Sequence, residues 1–275
     1  MENKIKTTLI KAARAGGAVL IKYFGKALNP VEKSTVWDFQ TEADVGSEKE
    51  ILKILRREFP NYNIHAEETG KIDNGAEFTF VIDPLDGTNN FVLGIPNFTV
   101  SIALLNKKEA VAGIVYQPIL NQVYYAEKGK GAYLNNKKIK VSRITDSKKM
   151  TIAYNCGYKN SRNRVKDVLS HLTASNHKRI LVNWSPAYDY CLLAAGKIEA
   201  MLSDAGTELY DFGAGKLIAL EAGGKIYNHR GGKDTDFRND KFVLSNNNKI
   251  AQNVLKSIKL INKNSFKNRQ LKNPT

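Results

Sequence analysis

The apolar run Phe78-Thr79-Phe80-Val81-Ile82 leads without a break into Asp83-Pro84-Leu85-Asp86-Gly87-Thr88. A β-strand that ends in two carboxylates, a turn glycine and a hydroxyl constrains the fold strongly. It can open the strand's end to something those groups hold. Carboxylates at such a place suit hard divalent cations, which take oxygen ligands. Gly87 lets the backbone approach a ligand with no Cβ in the way. A short helix starting near Thr88 would direct free N–H groups at an anion. Taken alone, the hexapeptide reads equally well as a strand closed by an ordinary Asp-Gly turn.

Other acidic residues recur in comparable settings. Glu67-Glu68 follows the strand-like stretch Tyr62-Asn63-Ile64-His65. Asp211 lies in Leu209-Tyr210-Asp211-Phe212-Gly213-Ala214-Gly215, from which an Ala/Leu-rich helical pattern runs to Glu221-Ala222-Gly223-Gly224. Asp44 stands in Thr41-Glu42-Ala43-Asp44, which has the form of a capping box.

With these residues in this order, the chain resembles the inositol monophosphatase superfamily of Mg²⁺-dependent, lithium-sensitive phosphomonoesterases. The resemblance is collinear from about Ile5 to about Leu260. It rests on Glu67-Glu68, on the block from Asp83 to Phe91, and on Tyr210-Asp211 through Gly224. It implies a layered αβαβα sandwich, an α+β / α/β fold of the sugar phosphatase type, with the active site where two halves meet. It also implies two or three Mg²⁺ per site. Glu67, Asp83 and the main-chain carbonyl of Leu85 would hold the first, with Asp83 bridging to a second completed by Asp86 and Asp211. Asp44 and Thr88 would orient and help deprotonate the attacking water, with Glu67 assisting catalysis through a third ion. Asp86, Gly87, Thr88, Ser185, Asp204 and Asp211 would bind the substrate. Homodimers are common in the family.

Composition bounds the alternatives. A chain of 275 residues with 42% apolar content can bury a sizeable core. No stretch approaches the ~18 uninterrupted apolar residues of a membrane span, and Met1 to Lys11 lacks the pattern of a signal peptide. Cys156 and Cys191 are too few for a disulfide framework, so a cytoplasmic location is expected. Asn97-Phe98-Thr99 and Asn183-Trp184-Ser185 then match the glycosylation pattern without consequence. The net charge of +15 leaves nucleic acid open as a partner. The lysines are scattered, however, and no aromatic-interleaved basic stripe is present. Carboxylates converging on one site would also repel a phosphodiester chain.

Periodicity divides the chain. Ile5, Leu9, Ala12, Gly16, Leu20 and Phe24 predict an amphipathic helix, and Ile51, Leu55 and Phe59 predict a second, stopped by Pro60. Strands and turns follow to Val141, with a hairpin at Asn106-Lys107-Lys108-Glu109. After Ser147, short strands alternate with helices. We therefore divide the chain into an N-terminal half (1–146) carrying most of the carboxylates and a C-terminal α/β half (147–261). A basic, Asn-rich tail (262–275) is expected to be disordered.

The flanking residues carry weaker signals. Glu68 reads as a support for Glu67 rather than as a ligand. Lys33 is either solvated or in contact with the metal site, and His65 reads as structural. His171, His177 and His229 show no ligand spacing. The family's Gly-Ser/Thr-Ala-Ala segment is here Trp184-Ser185-Pro186-Ala187, with a tryptophan and a proline in place of small residues. The family's inositol-binding glutamate falls on Asp204 when Gly206 anchors the register, and on Ser203 when Gly196 does. Asn89-Asn90-Phe91 after the Asp-Gly-Thr triplet points to a small phosphorylated polyol or sugar. It points away from 3′-phosphoadenosine 5′-phosphate, while a fructose 1,6-bisphosphatase activity stays open.

Overall fold

The computed structural model describes residues 2–35, 38–158 and 160–272. Two helices open the chain, α1 (Glu2–Tyr23) and α2 (Glu42–Glu58), with the hairpin β1 (Val31–Thr35) and β2 (Asp38–Gln40) between them. The sheet strands β3 (Asn63–Ala66), β4 (Gly70–Ile72) and β5 (Phe78–Asp86) follow, then the short helix α3 (Thr88–Val92). Next come β6 (Thr99–Asn106), β7 (Glu109–Gln117), β8 (Gln122–Glu127), β9 (Gly131–Leu134) and β10 (Lys137–Ile139). The later elements are β11 (Thr151–Asn155), α4 (Arg162–Ala174), β12 (Arg179–Leu181), α5 (Pro186–Ala194) and β13 (Ala200–Ser203). The chain continues with α6 (Leu209–Glu221), β14 (Lys225–Asn228), β15 (Phe242–Ser245) and α7 (Asn248–Lys272).

The strands form a large sheet ordered β10-β9-β8-β7-β6-β5-β3-β4 and a smaller one ordered β12-β11-β13-β15-β14. The large sheet is antiparallel except where β3 runs parallel to β5. In the smaller sheet β11 is parallel to both neighbours, and β13, β15 and β14 are antiparallel.

Side-chain alternation along each strand sets the layers. Phe80 and Ile82 of β5 face α1 and α2, packing with Leu9, Leu20, Ile51 and Leu55. Val81, on the opposite face, packs toward Tyr190 of α5 and Phe212 and Ile218 of α6. The smaller sheet closes that middle layer with Ala153, Met201 and Leu244. Its outer face, Ile152, Tyr154, Leu202 and Val243, is covered by Val168 and Leu172 of α4 and Val254 and Ile258 of α7. Helix pair, sheet, helix pair, sheet, helix pair is the expected αβαβα order.

One expectation is overturned. Residues 262–272, read as a disordered tail, continue α7, which ends at Lys272. The apolar positions Ile250, Val254, Ile258 and Ile261 are buried one turn apart, so α7 is anchored along its first half and propagates cooperatively into the polar segment. Residues 273–275 lie outside the described ones.

The middle layer depends on close approach of α5 and α6. A Cβ added at Gly215 would meet Tyr190 Cδ2 at 2.6 Å. Gly215→Ala should therefore destabilise the fold by about 1–3 kcal/mol through overpacking. The check is a urea unfolding midpoint that falls at constant slope. An unchanged midpoint would contradict this contact.

Candidate active site

The end of β5 is irregular where the chemistry sits. Asp83 pairs with Ser101 and Asp86 with Thr99, so Pro84 and Leu85 on β5 oppose the single residue Val100 on β6. Residues three apart on a regular strand point to opposite faces. The bulge, at a proline that donates no backbone hydrogen bond, cancels that alternation. Asp83 and Asp86 consequently open into one cavity with Glu67, Asp211, Leu85 and Asp38.

Each carboxylate is gripped by local structure. Asp83 Oδ1 accepts from the Leu85 N–H at 3.0 Å. Asp86 Oδ2 accepts from Thr99 Oγ1 at 3.0 Å and from the Ser185 hydroxyl. The N–H groups of Ala187 and Tyr188, in the first turn of α5, also bond Asp86. Asp211 sits in the first turn of α6 and accepts from the Glu208 N–H at 2.6 Å, closing a capping box. Glu67 Oε1 accepts from Lys33 Nζ at 2.9 Å, and the same ammonium reaches Glu68 Oε1 at 2.6 Å. Gly87 has φ 95°, and a Cβ there would meet the Asn97 carbonyl at 2.9 Å. Only glycine fits this junction between β5 and α3.

Burial dominates the electrostatics. It pushes Glu67 up to about 7, against the opposing pull of Lys33. It raises Asp83 well above the carboxylate range, reinforced by Glu67, Asp86 and Asp211. Asp211 is raised in the same way, with Glu67 next in effect. Asp86 rises to about 6 although Ser185, Ala187 and Thr99 donate to it. For Lys33, burial opposes the charge, but Glu67 and Glu68 prevail and hold its pKa above the ordinary value. Among the described residues, no three acidic, imidazole or thiol side chains are close enough to grip an ion as they stand. The donor set is nonetheless all oxygen and its charges repel, which fits a hard cation.

The remaining sequence candidates divide. Thr88 and Gly87 line the cavity. Asp44 does not; it is fully buried, with Oδ2 bonded by the Thr41 N–H and hydroxyl. It meets the site through Thr88, whose Oγ1 lies 3.1 Å from Asp44 Oδ1 and 3.0 Å from the Leu85 carbonyl. Burial pushes Asp44 up to about 6. Ser185, expected to bind substrate, is fully buried with its hydroxyl turned to Asp86. Asp204, also expected to bind substrate, does not line the cavity. Its Oδ2 takes a 2.6 Å bond from Arg164 Nε, which turns the carboxylate toward α4. His65 packs edge-on against Tyr210.

Sequence reasoning missed the residues that hold the cluster from behind. Glu48 accepts the backbone N–H groups of Glu68 and Thr69 at 2.9 and 2.7 Å. Ser47 donates to the Pro84 carbonyl at 2.8 Å. Asp44, Ser47 and Glu48 share one face of α2 at i, i+3 and i+4. Three polar residues on that buried face were a legible signal. The wall formed by Tyr154, Cys156, Gly157 and Thr207 carried none, because it is assembled from the ends of separate segments.

Known proteins share this chain's sequence pattern and fold. The model of the inositol monophosphatase family matches residues 1–263. A Pasteurella multocida protein named Nus factor SuhB is 33% identical over 243 residues, covering 84% of this chain and 87% of its own. An Aquifex aeolicus protein named fructose-1,6-bisphosphatase/inositol-1-monophosphatase is 34% identical over 220 residues, covering 78% and 81%. The solved structure of a Thermotoga maritima IMPase superposes with a TM-score of 0.85 at 28% identity, covering 96% of this chain and 99% of that one.

The raised carboxylates make a prediction about stability. A carboxyl whose pKa rises on folding binds its proton more tightly in the folded state. Between about pH 4, where the unfolded group titrates, and the folded values of about 6 to 7, each such group contributes less stability as pH rises. In EDTA at pH 7.5, Glu67→Gln should therefore melt above the wild type by about 2–4 °C, the shift ~1 kcal/mol produces at this size. The gap should close toward pH 5, where Glu67, at about 7, is itself protonated. A less stable variant at pH 7.5 would contradict the account.

Proposed function

Since the chain belongs to the inositol monophosphatase family, whose members are phosphatases, we propose that it hydrolyses a small phosphate monoester with Mg²⁺ as cofactor. The reaction releases inorganic phosphate from inositol 1-phosphate or a related sugar phosphate. The observation that carries this reading is the group of four carboxylates, the buried Asp83 and Asp86 and the half-buried Glu67 and Asp211, opening into one cavity with Thr88. These four and the Leu85 carbonyl would hold two or three ions. A divalent cation there neutralises phosphoryl oxygens and lowers the pKa of water toward neutrality.

The protein's own groups supply orientation and proton transfer. Thr88 Oγ1 donates either to Leu85 O or to Asp44 Oδ1. With Leu85 O engaged by a ligand, the hydroxyl turns to Asp44 and presents its lone pairs to the attacking water. Asp44, at about 6, is suited to accept a proton near neutral pH. The backbone at Gly87 and Thr88 cradles the phosphate where α3 begins. No covalent phospho-enzyme is required.

A second reading takes the net charge of +15 and the relative named Nus factor as pointing to nucleic-acid binding. Acidic groups lining the carboxylate cavity weigh against that role for the site itself. Salt-sensitive binding elsewhere on the surface would be seen as a mobility shift that fades steeply with ionic strength.

The enzymatic reading is tested by phosphate release. EDTA should abolish it and Mg²⁺ restore it. Asp83→Asn should be the most damaging change, and Asp211→Asn and Glu67→Gln should each lose orders of magnitude in kcat with the fold retained. Thr88→Ala should lower kcat more than cation affinity. Full activity in EDTA, or a wild-type rate in Asp83→Asn, would overturn the reading.

A further inference from the structure

Trp184 stands out on four counts. Its backbone lies at φ 52°, a left-handed conformation unfavourable for a bulky side chain. The residue is 47% exposed, although tryptophan has the most to gain from burial. It lines the same cavity as the carboxylates. It also stacks on Tyr158, another cavity-lining ring, with centroids 5.9 Å apart and planes 19° from parallel.

The surroundings fix this arrangement from several sides. Asn90 Nδ2 donates to the Asn183 carbonyl at 2.7 Å and lies 3.5 Å from the Trp184 carbonyl. Asn97 Nδ2 also donates to Asn183 O, at 3.1 Å, and Asn183 Nδ2 donates to the buried Asp189 at 2.6 Å. Pro186 sits in the first turn of α5 and stiffens the chain just beyond. Tyr158 is held in turn by Asn89, whose Nδ2 donates to its hydroxyl at 2.9 Å. Strained conformations persist where the surroundings over-determine them, and they concentrate at functional sites. The two rings are thus a preformed platform at the mouth of the cavity.

Nearby chemistry indicates what the platform receives. Asp204, the carboxylate best suited by sequence to grip a ring hydroxyl, is bound to Arg164 and does not reach the cavity. This wall therefore offers aromatic surface, with Val182 and Pro186 adjoining it. Resting on the phosphatase reading above, we propose that Trp184 and Tyr158 determine specificity by packing against the face of a ring in the alcohol part of the substrate. The preferred substrates are phosphate esters of cyclic alcohols rather than of short open-chain ones. Apolar pocket walls supply affinity through covered area, while a few polar groups fix orientation.

The test compares two esters of secondary alcohols, inositol 1-phosphate and glycerol 2-phosphate, which share leaving-group type and differ in the ring. Trp184→Ala should lower the ratio of kcat/KM for the ring compound over the open-chain one at least tenfold, mainly through KM. Trp184→Phe should restore most of that ratio, and Tyr158→Ala should reduce it less. A ratio unmoved in Trp184→Ala, or one held because both substrates fall together, overturns the inference. A second readout does not depend on turnover. The chain has two tryptophans, so Trp37→Phe leaves Trp184 as sole reporter, and inositol 1-phosphate should shift its emission in stopped flow. An emission shift without phosphate release removes the enzymatic reading and keeps the platform. Phosphate release with neither the emission nor the ratio moved removes the platform alone.

Discussion

Mutual repulsion among Glu67, Asp83, Asp86 and Asp211 is the constraint around which this molecule is built. Like charges out of water disfavour ionisation twice, once through desolvation and once through each other, and all four have raised pKa values. Such a cluster persists only where the scaffold holds it in place. Here α2 supports the Glu67–Glu68 turn and the Pro84 carbonyl, α5 donates two backbone N–H groups to Asp86, and α6 caps itself with Asp211. Lys33, on the β1–β2 hairpin, provides a positive charge to Glu67 and Glu68. A bound cation would perform that service for all four.

The layered architecture follows from the same need. The site takes groups from the end of a large-sheet strand, from the start of a helix in the middle layer, and from the ends of small-sheet strands. Only a sandwich that stacks these elements brings their ends to one place. Gly215 lets α6 lie against Tyr190 of α5. Lys216, buried on the same helix, ties the loop ahead of β15 by donating to the carbonyls of Asp236, Phe237 and Asn239. Asp240, at the end of that loop, bonds the Gly206 N–H at 2.8 Å beside the cavity wall.

Much of this was legible because it depends on local rules. Apolar periodicity marked α1 and α2. Alternation and turn residues marked the β6–β7 hairpin, and the acidic residues lay at element ends where ligand chemistry is expected. What escaped depends on distant partners. Nothing local to Asp204 reveals that Arg164, forty residues earlier, turns it away from the cavity. Nothing near Ser185 shows that Asp86 takes its hydroxyl. The tail was misread because composition reports poor burial and not the helix-propagating effect of an anchored first half. Asp44 sits between these cases: its capping box was visible, but its contact with the site through Thr88 required the fold.

The central claim is that the clustered carboxylates form a cation site centred on Asp83. Calorimetric titration of chelator-treated protein with Mn²⁺, a spectroscopically convenient stand-in for Mg²⁺, tests it directly. The account predicts two or more saturable sites in the wild type, release of protons on binding near pH 6 because the carboxyls must ionise, and loss of at least two sites together in Asp83→Asn. Equal stoichiometry in wild type and variant, or binding with no proton release, would contradict it.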